Sequence, residues 1–148
     1  HLFSLAGEAD DYTAGEKRLI IEYKGWKIFP LICYDLRFPV WSRSVDYEYD
    51  LLVYIANWPT PRVNAWDTLL KARAIENQSY VVGVNRTGED GYKASYNGHS
   101  TVINHLGEYI HHPTEKEEIT LSTIDKKPML QFREKYNFRK ESDQFIIQ

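Results

Sequence analysis

The sequence predicts an α/β layered fold built on a mixed sheet, and three observations carry that prediction. Leu51 to Ala56 is apolar without polar alternation, the pattern of a strand buried on both faces of a sheet held between layers. Ala65 to Gln78 has helical spacing, with Trp66, Leu69, Leu70 and Ile75 largely on one face. The pieces run strand, helix, strand, helix, strand, then strand pairs and a last helix, an alternation that belongs to layered α/β architectures. At 148 residues the chain suits one domain with a real core, and no repeat, low-complexity segment or linker divides it.

The elements follow in order. From His1 to Gly15 the text is loop-like, with acids at Glu8, Asp10 and Asp11. Arg18 to Tyr23 and Trp26 to Ile32 are strand-like runs joined at Lys24-Gly25, where glycine supplies the positive φ of a tight hairpin. Cys33 then sits on a bend, because Pro39 opens a short amphipathic helix to Tyr47. Asn57 to Arg62 is a loop, since Pro59 and Pro61 deny the backbone two donors. The long helix is capped by Asn64 and steadied by Asp67 four residues before Lys71. Ser79 to Asn85 is another buried strand, and Thr87 to Asn97 is glycine-rich, polar and loop-like. Ser100 to Asn104 and Glu108 to His111 form a hairpin turning at Leu106-Gly107. Ile119 to Ile124 is a last core strand, Lys127 to Tyr136 a helix that tolerates Pro128 in its first turn, and Phe145-Ile146-Ile147 a tail that docks.

Composition narrows the function classes. A net charge of -3 without a basic run disfavours nucleic acid. The single cysteine forms no internal disulfide, and no leader or membrane-length apolar segment is present, so a reducing cytoplasm is the expected compartment and a membrane partner is not. No GxxxxGK or GxGxxG occurs, so no nucleotide cofactor is implied. His99, His105, His111 and His112 lack any metal-ligand spacing and read as structural or surface residues, giving no metal site.

Cys33 has two readings from the residues alone. Lone cysteines are commonly small buried hydrophobes. A thiol on a strand-to-helix bend is also well placed as a nucleophile, near N-H groups that lower its pKa and stabilise an oxyanion. A Cys-His pair is a further arrangement, with several histidines downstream and none marked out by its context.

Several blocks then match one family in order. Cys33-Tyr34-Asp35-Leu36-Arg37-Phe38-Pro39 resembles the cysteine segment of the carbon-nitrogen hydrolase (nitrilase) superfamily. His1-Leu2-Phe3 resembles the text just after that family's catalytic lysine. Asn57-Trp58-Pro59, the stretch Leu70 to Gln78, and Gly98 to Asn104 with Gly107-Glu108 resemble later family blocks. The wording around Cys33 and Trp58 is most similar to the bacterial omega-amidase branch, which acts on omega-amides of 2-oxo acids.

The resemblance implies an α-β-β-α sandwich, incomplete at its N-terminus, with residues 1–148 forming the C-terminal part of a single domain that pairs into homodimers. It implies Cys33 as nucleophile, the Tyr34 backbone N-H as an oxyanion donor and Glu8 as a positioning acid, with no cofactor. The family's catalytic glutamate and lysine would both precede His1. For a small amide substrate bearing a carboxylate, Arg62 is the expected clamp and Trp58 or Tyr34 a pocket wall. Arg37 and Asp35 are expected to pair with the backbone or each other, and Arg73 with Glu76 to form a buried ion pair in the long helix. A non-catalytic binding or assembly module of the same fold, or a nitrilase or amidase of another substrate class, is the alternative.

Overall fold

A computed structural model describes residues 1–143. Its centre is a six-stranded mixed sheet. Strands β1 (Ile21–Tyr23), β2 (Trp26–Ile32), β3 (Leu51–Ala56) and β4 (Tyr80–Asn85) are followed by a hairpin β5 (Thr87–Glu89) and β6 (Ser95–Asn97), then by β7 (Thr101–Ile103) and β8 (Tyr109–His111). The sheet order is β1-β2-β3-β4-β7-β8, and β5 with β6 stands apart. The central β2, β3 and β4 are parallel, while the flanking pairs are antiparallel. Lys24 and Gly25 both take positive φ in the two-residue turn between β1 and β2, which matches the twist of a hairpin.

The helices are α1 (Glu8–Asp11), α2 (Pro39–Ser42), α3 (Val63–Asn77) and α4 (Lys126–Lys135). Strand alternation sends Phe29, Leu31, Leu52, Tyr54 and Val81 to one face, where they pack on Trp66, Leu70 and Ala74 of α3. Gly83 lets α3 approach. A Cβ there would lie 2.5 Å from Leu70 Cδ1 and 2.8 Å from Trp66 Cζ2. On the other face, Ile28, Val53 and Val82 pack with Leu51, Tyr80, Ile124 and Met129 of α4. Toward the C-terminal strand ends this face is uncovered: Ile32 is 71%, Ile55 59% and Val84 45% exposed.

Buried Arg133 fastens α4. It donates to Asp50 Oδ1 (3.2 Å), Ser79 Oγ (2.8 Å) and the Tyr49 and Gln78 carbonyls (3.0 and 2.9 Å). Lys126 adds a second cation on Asp50, at 2.6 Å. Such a buried charge holds only because every direction around it meets an acceptor.

Several elements differ from the expectation. Ile119 to Ile124 is not a strand, and Ile119 and Leu121 are almost fully exposed. The ladder ends at β8, so this alternating segment has no strand to pair with among the described residues, and Ile124 alone reaches a core. The helix from Pro39 stops at Ser42, because Ser44 N-H donates to Asn77 Oδ1 and Tyr47 takes a φ of 48°. Thr87 to Asn97 is not all loop, since it contains the β5–β6 hairpin. Residues 1–15 likewise contain a 3-10 turn and α1.

The first predicted strand narrows to Ile21–Tyr23. The long helix starts at Val63, so Asn64 lies inside it and caps nothing. Ile75 stands 54% exposed rather than on the core face. Asp67 bonds His99 Nδ1 (2.9 Å) instead of Lys71, whose ammonium lies over the Tyr109 ring. The tail segment Phe145-Ile146-Ile147 lies outside the described residues.

Two stability measurements check this packing. Gly83→Ala is expected to cost about 1–3 kcal/mol, read as a lower urea midpoint, because the added methyl collides with two packed side chains. An unchanged midpoint would show that α3 is free to shift. His105 is buried, with Nδ1 unpartnered and its ring against Tyr80 and Phe132; burial, then the Arg133 charge, lowers its pKa below the ordinary 6.5. The unfolded chain therefore binds this proton first as pH falls, so stability is present above 6.5 and declines below it. His105→Phe should flatten the loss of urea midpoint between neutral and acidic pH, and an unaltered slope would remove His105 as its source.

Candidate active site

Because β2, β3 and β4 are parallel and pair Ile32 with Ile55 and Ala56 with Asn85, their C-terminal ends lie level. The chain leaves each at the same edge, as ligand-binding edges of parallel sheets do. Cys33 leaves β2, and Asn57-Trp58 leaves β3. Cys33 takes a φ of 40°, which turns the chain sharply into a 3-10 turn, Cys33–Arg37. Two buried groups hold that turn. Asp35 Oδ2 accepts the Ile32 N-H at 3.0 Å, and Arg73 Nη2 donates to the Leu36 carbonyl at 2.6 Å. The first N-H groups of such a turn, Tyr34's among them, have no acceptor within it.

A cleft of about 1150 Å³ opens at this edge, lined among others by Phe3, Glu8, Cys33, Trp58, Arg62 and Tyr96. Glu8 begins α1, and its Oε2 accepts the Phe3 N-H at 2.7 Å. The Phe3 ring lies 4.9 Å from that of Tyr34, and the Arg62 guanidinium sits 5.2 Å over it. Cys33 Sγ is 3.9 Å from the Asn57 carbonyl oxygen. Burial pushes the thiol above its ordinary value; the Asn57 backbone contact and Arg62 oppose this, while the Glu8 and Asp35 carboxylates push the same way as burial.

The structure thus brings Cys33, Tyr34, Glu8, Trp58 and Arg62 to one cleft. Trp58, however, is 2% exposed and is more floor than wall: its ring packs on Trp66 and its Nε1 donates to the Arg62 carbonyl (2.7 Å). The group over its face is Arg37, 4.9 Å from the ring. Arg37 is exposed, lines the cleft and makes no bond to Asp35, contrary to the expected pairing. Asp35 does pair with the backbone, through Ile32, and its other oxygen is 2.9 Å from His1 Nδ1. Arg73 and Glu76 do pair, at 3.1 Å, with Arg73 buried and Glu76 partly open.

Tyr96 escaped the sequence reading. It lines the cleft from the β5–β6 hairpin, its hydroxyl donates to Asp90 Oδ2 (2.7 Å), and Arg86 covers its ring. A tyrosine in a polar, glycine-rich stretch carries no signal that sets it apart. His99, His105, His111 and His112 do not line the cleft, which leaves a Cys-His arrangement without those partners. Among the described residues no group of three or more His, Cys, Asp or Glu side chains is arranged to hold a metal.

The family model for carbon-nitrogen hydrolases matches residues 1–134. Omega-amidase YafV of Escherichia coli K12 is 48% identical over 151 residues, covering 99% of this chain and 57% of the relative. The 2-oxoglutaramate amidase of Bacillus subtilis is 38% identical over 90% of this chain and 52% of its own length. The chain therefore spans little more than half the length of these curated relatives. Among solved structures, XC1258 of Xanthomonas campestris, a CN-hydrolase superfamily protein with an arsenic adduct in its active site, superposes over the whole chain and 58% of its own length, with a TM-score of 0.95 and 42% identity. No helix of the described residues is long and apolar enough to cross a membrane. By sequence and by fold, the chain belongs to the carbon-nitrogen hydrolase family.

Proposed function

We propose that this chain is the C-terminal part of one carbon-nitrogen hydrolase domain and that the intact polypeptide is an amidase acting through Cys33. The observation that carries the reading is the left-handed bend at the end of β2, which sets the only cysteine of the sequence in the cleft at the head of a 3-10 turn. The Cys33 sulfur attacks the amide carbon while the Tyr34 N-H holds the developing oxyanion. The thiol proton passes by way of an upstream carboxylate to the leaving nitrogen, ammonia departs, and an acyl thioester remains. Water then adds to the thioester, giving the acid and restoring the thiol.

Within this chain the balance at Cys33 favours the neutral thiol, since burial and the Glu8 and Asp35 carboxylates outweigh the Asn57 contact and Arg62. That supports a division in which the family's glutamate and lysine, upstream of His1, supply the base and a positive charge. Glu8 acts as the positioning acid that fixes the Phe3 backbone. Omega-amides of 2-oxo dicarboxylic acids are the favoured substrates. The omega-amidase and 2-oxoglutaramate amidase activities of the Escherichia coli and Bacillus subtilis relatives support that class, as does Arg62, a cation at the cleft whose guanidinium lies over the Phe3 ring. The reading carries with it a homodimer working in the cytoplasm.

In the intact polypeptide, ammonia release from 2-oxoglutaramate is expected and Cys33→Ala should reduce it to background. Retained turnover would take Cys33 out of the mechanism, and a silent parent protein would favour the binding-module alternative. Arg62→Ala should raise KM for the carboxylate-bearing amide about 10–100-fold, the worth of a charged hydrogen bond, and leave a neutral amide unchanged. Equal losses on both amides would rule out a carboxylate clamp.

In the 148-residue chain itself, iodoacetamide labelling of Cys33 should titrate with a midpoint above 9.0. Glu8→Gln should lower the midpoint and Arg62→Ala should raise it, since a removed anion favours thiolate and a removed cation disfavours it. Shifts of the opposite sign would break the electrostatic account.

A further inference from the structure

We propose that Asn85, the last residue of β4, is the positioning residue from which one whole side of the cleft is hung. Its catalytic consequence rests on the amidase reading; its geometry does not. The side chain is buried, and its amide makes three hydrogen bonds, with both N-H donors used. Oδ1 accepts the Trp58 N-H at 2.7 Å, while Nδ2 donates to the Trp58 carbonyl at 2.9 Å and to the Gly98 carbonyl at 2.7 Å. Its own N-H donates to Ser100 Oγ at 3.0 Å, and that hydroxyl donates back to the Asn85 carbonyl at 3.2 Å. Three segments of chain therefore meet at one residue.

What those segments carry gives the knot its importance. Asn57, just before Trp58, sets its carbonyl 3.9 Å from Cys33 Sγ. Trp58 supports Arg37 on its ring and takes the Arg62 carbonyl on its indole N-H. Gly98 leads into the site from the β5–β6 hairpin that bears Tyr96, and its N-H donates to the Arg86 carbonyl at 3.0 Å. Through one amide, Asn85 fixes the Asn57-Trp58 side of the cleft relative to the Tyr96 side, and with it the surroundings of the sulfur. The pattern needs one acceptor and two donors on a planar head. A carboxylate of the same shape would face two carbonyl oxygens and lose both bonds.

Asn85→Asp and Asn85→Ser in the intact polypeptide test this, with Ser100→Ala as a control that cuts the backbone bridge and spares the side-chain knot. Melting curves establish that each variant folds. The readouts are the pH profile of Cys33 alkylation by iodoacetamide and the separate kcat and KM for 2-oxoglutaramate. With the Asn57-Trp58 segment released, more water reaches the sulfur; loss of burial, the largest influence on the thiol, outweighs loss of the Asn57 contact, so the alkylation midpoint is expected to fall in Asn85→Ser, while Asn85→Asp adds a carboxylate that pushes the other way and is read through kcat and KM. The specificity constant kcat/KM should fall about a hundredfold, the usual result of displacing reacting groups by about an ångström. Ser100→Ala should move the melting temperature and leave the midpoint in place.

A folded Asn85→Ser variant with an unmoved midpoint would overturn the proposal, as would a midpoint shift of equal size in Ser100→Ala or an unchanged kcat/KM in both folded Asn85 variants. If Asn85→Asp does not fold, Asn85→Ser decides; failure of both to fold assigns Asn85 a purely structural role and overturns it as well. A parent polypeptide without amidase activity would sink the amidase reading while the alkylation profile still tests Asn85.

Discussion

The parallel pairing of β2, β3 and β4 is the constraint on which the rest of the molecule depends. Parallel strands in register end at one edge, so Cys33, the Asn57-Trp58 loop and Asn85 emerge side by side though they are far apart in sequence. That register is set by packing on α3. Gly83 removes the one Cβ that would hold the helix away, and Trp66 and Leu70 fill the space. The same helix then reaches forward: Arg73, buried beneath the cysteine turn, bonds the Leu36 carbonyl. A displacement of α3 would therefore move the cleft floor and the cysteine bend together. Core and site share their supports.

Electrostatics at the sulfur point outward from the chain. Burial disfavours a thiolate, Glu8 and Asp35 add to the penalty, and Arg62 is the countering cation among the principal influences. A thiol in that condition reacts slowly unless a base and a further positive charge arrive from elsewhere. The uncovered apolar end of the sheet lies at the same place, for Ile32 and Ile55 line the cleft as well as standing exposed. Contiguous apolar side chains beside a half-buried thiol form the kind of surface that a covering layer normally occupies.

The sequence made the central strands, the long helix and the cysteine bend legible because each is written in a local pattern: an apolar run, a helical period, a break at Cys33 followed by proline. It made Glu8, Trp58 and Arg62 legible through resemblance, and all three do reach the cleft. Features decided by distant partners stayed hidden. Ile119 to Ile124 alternates like a strand, but alternation states a capacity to pair and not the presence of a partner. Pro39 to Tyr47 has a helical period, yet Asn77 captures the backbone at Ser44 and ends it. Arg37 reads as an ion-pair residue beside Asp35, and only the fold reveals that Asp35 is already spent on Ile32 while the Trp58 face is free. Asn85 and Tyr96 are polar residues in ordinary contexts, and their importance lies wholly in what tertiary structure sets against them.

The left-handed turn at Cys33 bears on the choice between an enzyme and an inert module. A non-glycine residue at positive φ costs on the order of 1–2 kcal/mol, and glycine would avoid it. The chain meets that cost with a carboxylate on Ile32 and a buried guanidinium on Leu36, itself expensive to desolvate. A bend needed only to link β2 to α2 has cheaper solutions. Strain that the surroundings must over-determine is characteristic of sites where a side chain has to be presented in one direction. Here the residue so presented lines the cleft. Local strain, its two buried supports and the cleft are therefore explained together when Cys33 is a nucleophile, whereas an assembly surface leaves the first two without a cause.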